Sequence, residues 1–133
     1  MILTFPFLLF SVIAYNIIVF GTGTPFETIV FQVPMISGAL WNFTLGDLLI
    51  AATLVLLFIE ILKATRTGGN SLIDHALSTI VFIICLIEFL VVPEASTSLF
   101  FFITLIALID VVAGFSVTIR AARRDFAVGP QHF

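Results

Sequence analysis

From Ser98 to Ile119 the chain carries one ionisable side chain, Asp110, in a stretch otherwise made of apolar, small and hydroxyl residues. A helix rises 1.5 Å per residue and a bilayer's hydrocarbon core is about 30 Å thick, so roughly 20 such residues are enough to cross it. Three further segments are of the same kind: 3–20, 45–62 and 72–92. With 98–119 they predict an all-α integral membrane protein, a four-transmembrane-helix bundle forming one membrane domain over residues 1–133.

Composition excludes the main alternatives. Of 133 residues 61% are hydrophobic and 10% charged, whereas soluble domains carry about a quarter charged residues. A soluble chain so composed lacks the polar side chains to cover its surface. Binding to nucleic acid calls for a basic face, and 5 Lys+Arg stand against 8 Asp+Glu. The single cysteine, Cys85, permits no intrachain disulfide and no multi-cysteine metal site.

Lysine and arginine concentrate on the cytoplasmic ends of membrane helices. Lys63 and Arg66 follow the second segment, and Arg120, Arg123 and Arg124 follow the fourth; residues 21–43 and 93–97 contain no cation. The pattern predicts a multi-pass protein of the plasma (cell inner) membrane with both termini cytoplasmic. The first segment has no basic n-region and no A-x-A-like site before Gly21, so it reads as an uncleaved helix rather than a signal peptide.

The long connection 21–43 opens with Thr24-Pro25-Phe26-Glu27, which has the N-cap, the N1 proline and the N3 carboxylate of a capping box. It predicts a short interfacial helix over about 25–32 on the outer side, with Phe26, Ile29, Val30 and Val33 on its apolar face. Trp41 then falls at the headgroup level favoured by indole rings.

An ionisable group inside a span costs about 2.5 to 3.5 kcal/mol on insertion scales, so each needs an explanation. Thr44-x-x-Asp47 and Ser71-x-x-Asp74 match the helix cap. Glu60 and Lys63, three residues apart near a span end, read as a helix-surface ion pair that snorkels to the headgroups. His75 reads as an interfacial polar side chain, and neither it nor His132 suits a haem site. Glu88 and Asp110 remain. Glu88 lies five residues before Pro93, while Asp110 is ten residues from Arg120, so Asp110 is expected to be protonated or to face water. At 100° per residue, Asp74, Ser78, Val81, Cys85 and Glu88 form one seam on the third span, and Ala107, Asp110, Gly114, Val117 and Ala121 one small-residue face on the fourth. The two faces are expected to meet. Asp110, Glu88, Ser78 and Cys85 thus form the candidate intramembrane polar or proton site. Asp110 either bonds a neighbouring helix, through a backbone carbonyl, Ser78, Cys85 or Thr53, or belongs to a hydrated path.

No H-E-x-x-H, phosphate-binding loop, G-x-S-x-G or multi-Cys/His spacing occurs. The sequence therefore points away from an enzyme and implies no cofactor and no metal. The expected role is a non-enzymatic interaction or accessory subunit of a membrane assembly, a homo-oligomer or a larger complex. Its partners would be the lipid bilayer and other membrane chains, with no nucleic acid, and Phe100, Phe101 and Phe102 would be part of its lipid-facing surface. The alternative is a small oligomeric proton or cation channel or transporter using the seam around Asp110 and Glu88, with outer-side acids Glu27, Asp47, Glu88 and Glu94 concentrating cations at its mouth.

Overall fold

The computed structural model describes residues 5–65 and 70–128. Its elements are α1 (Leu8–Asn16, running on as a π-helix over Ile17–Thr22), β1 (Ile29–Pro34), β2 (Leu40–Thr44), α2 (Leu45–Ala64), α3 (Asn70–Val91) and α4 (Ser98–Val128). Three helical segments, Leu45–Ala64, Leu72–Val91 and Ser98–Val117, are long and apolar enough to cross a membrane. The apolar helix Leu8–Thr22 is shorter. At 1.5 Å per residue it spans about 22 Å, less than the hydrocarbon thickness. It starts directly after Pro6, whose carbonyl accepts from the Leu9 amide at 3.0 Å, and it stops at Gly23, which takes a left-handed φ of 67°.

The helices pack antiparallel to their chain neighbours. At one end, Lys63 in the last turn of α2 donates to the Phe5 carbonyl just ahead of α1. At the other, the Tyr15 hydroxyl of α1 donates to the Glu94 carbonyl at 3.0 Å and lies 2.9 Å from the Thr97 hydroxyl, in the connection between α3 and α4. Between these ends the core is built from Leu8, Val12, Leu49, Val81, Cys85, Phe100, Ile103, Ile106 and Ala107, with Tyr15 and Ala95 beside them. Tyr15 stands against Phe100 at 4.7 Å and Phe26 at 5.0 Å between ring centroids.

The connection 21–43 corrects the sequence reading, because no interfacial helix forms over 25–32 and the fold is not all-α. The capping-box residues make a single turn, closed by the Thr28 amide on the Pro25 carbonyl at 3.1 Å. The run Thr28-Ile-Val-Phe-Gln-Val33, rich in β-branched residues, then goes into β1. Strands β1 and β2 pair antiparallel, with Phe31 opposite Phe43, Gln32 opposite Asn42 and Val33 opposite Trp41. Gly38, at φ 94°, supplies the backbone turn between them. A two-stranded hairpin is marginal by itself, and this one is clamped to the first turn of α2. The Leu45 amide donates to the Thr28 carbonyl at 2.8 Å, and the Gly46 amide to the Phe26 carbonyl at 3.0 Å.

Thr44 ends β2 and caps α2. Its hydroxyl accepts from the Asp47 amide at 3.2 Å while the Asp47 carboxylate accepts from the Thr44 amide at 3.1 Å, the reciprocal cap that the spacing predicts. Gly46 packs beside the turn, since a Cβ there would make ordinary contact at 3.5 Å with both the Cβ and the carbonyl oxygen of Phe26.

Candidate functional site: a buried ionic centre between the helices

At the end of the bundle opposite the hairpin, ionisable side chains of three helices turn inward together. Glu60 and Lys63 come from α2, Asp74 and His75 from α3, and Asp110 from α4. Their exposures are 3%, 6%, 7%, 5% and 5%. The Lys63 ammonium lies 2.7 Å from Glu60 Oε1 and 3.4 Å from Asp74 Oδ1. It also donates to the Phe5 carbonyl and sits 4.3 Å above the Phe7 ring centroid. The Glu60 carboxylate lies near the start of α1, where negative charge complements the positive helix end. Lys63 therefore holds the lead into α1 by the Phe5 carbonyl.

This geometry overturns three readings made from spacing. The Glu60–Lys63 pair is not on the helix surface, since its side chains are 2% and 4% exposed. α2 turns that face inward, and the ammonium that was expected to snorkel out stands over the Phe7 ring. Asp74 is not at a helix start: the chain is already helical at Asn70, so Asp74 lies at least a full turn in, where the first orphan amides are behind it, and it pairs with Lys63 instead. Ser71, its expected capping partner, has a side chain outside the described residues. His75 is buried rather than at a headgroup. Its ring packs on Gly114 of α4 and stands 4.9 Å from the Phe115 ring centroid.

Asp110 accepts from the hydroxyl of Ser78 and lies within electrostatic reach of Glu60, Asp74 and Lys63. Measuring along α4 to Arg120 missed this cation, because Lys63 comes from another helix. The seam of α3 and the small face of α4 do meet: Asp74, Ser78, Val81 and Cys85 point inward, as do Ala107, Asp110 and Gly114. Gly114 lets the two helices close up, since a Cβ there would come within 3.0 Å of His75 Cε1 and 3.1 Å of Nδ1.

The other two candidate residues stand apart from Asp110. Cys85 is fully buried in the apolar core. Glu88 is at the hairpin end, where Asn16 Nδ2 of α1 donates to its Oε1 at 3.2 Å; its Oε2 is buried without a hydrogen-bond partner. Asn16 and the members of the ionic centre other than Asp110 and Ser78 were not singled out as site residues. Helix arithmetic carried a partial signal for them: Glu60 is four residues from the end of α2 and Asp74 four from the start of α3, hence at one depth. Of the expected aromatic lipid surface, Phe101 and Phe102 are exposed, whereas Phe100 is fully buried.

Between the two ends, inward polar groups among the described residues include the hydroxyls of Ser11, Thr53 and Thr104. Thr53 donates to the Leu49 carbonyl at 2.7 Å and lies 2.8 Å from the Ser11 hydroxyl of α1, and Thr104 donates to the Phe100 carbonyl at 3.0 Å. Among the described residues no group of three or more His, Cys, Asp or Glu side chains is arranged to hold a metal ion. Comparisons of the chain with family models, curated proteins and solved structures find no match.

Proposed function

We propose that the chain is a four-span, multi-pass protein of the plasma (inner) membrane with both termini cytoplasmic, and that it acts as a non-enzymatic interaction or accessory subunit within a homo-oligomer or a larger membrane assembly. α1 completes the fourth span by tilting little and letting the bilayer thin around its short apolar length. The orientation is supported by the five cations, all of which follow the second and fourth spans.

One observation carries the functional reading: polar side chains drawn into the bundle bond from one helix to another. Lys63 ties α2 to α3 and to the lead into α1, Ser78 ties α3 to Asp110 of α4, Thr53 ties α2 to Ser11 of α1, and Asn16 ties α1 to Glu88 of α3. In a membrane, where apolar contacts give no preference for helix over lipid, such bonds fix the arrangement of the bundle. Between Asp110 and Glu88 the interior is filled by Val81, Cys85, Phe100, Ile103 and Ala107, none more than 4% exposed. A rigid bundle with a packed axis is a scaffold for neighbours.

The second reading, proton or cation transfer centred on Asp110, is favoured by the excess of acid at the ionic centre, where three carboxyl groups share one ammonium. A flux assay in proteoliposomes separates the two. The scaffold reading expects vesicles with the protein to hold a pH gradient as long as empty ones. A pH-driven flux that is present in the wild type and absent from folded Asp110→Asn would replace it by the transfer reading.

A further inference from the structure

The β1–β2 hairpin is two-faced. Phe31, Val33, Trp41 and Phe43 share one side: Phe31 and Phe43 stack at 4.6 Å between ring centroids, and Trp41 meets both edge-on at 6.1 and 5.4 Å. The opposite side carries the Gln32–Asn42 pair, with Pro34 and Leu40 towards the tip. Among the described residues nothing covers the aromatic side, with Phe31 45% and Trp41 47% exposed.

Its position says what covers it. Thr44 is both the last residue of β2 and the N-cap of α2, so the hairpin starts where a membrane-crossing helix starts, and its base is pinned there by the Leu45 and Gly46 amides. Five residues of β2 reach about 17 Å. The headgroup zone on each side of the hydrocarbon is only about 5 to 8 Å deep. A hairpin fixed at that boundary buries its aromatic side only by lying along the membrane, and aromatic rings, indole above all, favour that depth.

We propose that the hairpin is a membrane-surface anchor, lying flat with Phe31, Val33, Trp41 and Phe43 at the boundary of headgroups and acyl chains, on the outer leaflet in the proposed orientation, and with Gln32 and Asn42 towards water. Its occupant is lipid, not a second protein. The inference rests on the membrane reading above, and the test keeps the two apart.

Trp41 is the only tryptophan of the chain, so its fluorescence reports on this face alone. The full chain is reconstituted into phosphatidylcholine vesicles and floated; failure to float with lipid would overturn the membrane reading itself. In floated vesicles, lipids brominated on the acyl carbons next to the headgroup should quench most of the Trp41 emission, lipids brominated near the bilayer centre much less, and aqueous iodide little. Moving the reporter to the other face, in Trp41→Phe with Gln32→Trp, should reverse the order, with iodide quenching strongly and bromine weakly. Trp41→Phe with Phe31→Trp keeps the reporter on the aromatic face and should repeat the wild-type pattern, which guards against local misfolding at residue 41. Iodide quenching of Trp41 in the floated wild type as complete as that of free tryptophan would overturn the anchor, and so would equal bromine quenching of both faces.

Discussion

Lys63 is the residue on which the ionic centre depends, because it is the cation shared by Glu60 and Asp74. Removing one partner of a buried charge pair costs about 3 to 5 kcal/mol, since the other charges stay buried without compensation. Lys63→Met is therefore expected to lower thermal stability in detergent by that order, and combining it with Glu60→Gln and Asp74→Asn should restore much of the loss. A Lys63→Met protein as stable as the wild type would show that the centre holds nothing together. Gly114 makes a second prediction at this scale. A Cβ at 3.0 Å from the buried His75 ring is too tight unless the ring gives way by a few tenths of an ångström, so Gly114→Ala should cost about 1 to 3 kcal/mol by overpacking. In a His75→Ala background the same change should cost far less, a non-additivity expected of residues in contact. Equal cost in both backgrounds would place the strain elsewhere. Asp110 was legible as an outlier from its own helix, but its surroundings were not. The residues that face it belong to α2 and α3, and no spacing within α4 reveals them.

Among the elements, the start of α2 is where local sequence and tertiary structure agree. Thr44→Ala removes one half of the reciprocal cap and is expected to destabilise by about 0.5 to 2 kcal/mol, measured as a shift in thermal unfolding. Because Thr44 also closes the hairpin, hydrogen exchange at the paired strand amides should quicken with it; unchanged exchange would mean that cap and hairpin are independent. A few residues earlier, Thr24-Pro-Phe-Glu27 has the same kind of signal and no helix follows. What differs is the downstream sequence. After Asp47 come helix-forming leucines and alanines, while after Glu27 come β-branched Thr28, Ile29, Val30 and Val33, which lose side-chain freedom in a helix and fit a strand. The cap marks where a helix is able to begin, and the following turn decides whether one does.

For the whole molecule, the distribution of cations makes a test of orientation. Glu94 lies exposed in the short turn between α3 and α4, at the same end as the hairpin. A cysteine placed by Glu94→Cys, in a background without Cys85, should react with an impermeant thiol reagent on intact cells, and labelling only after lysis would reverse the proposed topology. Apolar runs of about 20 residues, the turn residues that end them and the single-sided cations were all in the sequence, because membrane insertion is decided by hydrophobicity summed along one segment and by charge beside it. The inward faces of α3 and α4 were readable for a similar reason: a polar seam and a small-residue stripe repeat at the helical period within one element. Only the tertiary structure placed Lys63, Glu60 and Asp74 inside rather than at the surface, brought His75 onto Gly114, and parted Glu88 from Asp110. Each of those outcomes depends on how one helix is rotated against another, and that rotation is set by contacts between residues far apart in the chain.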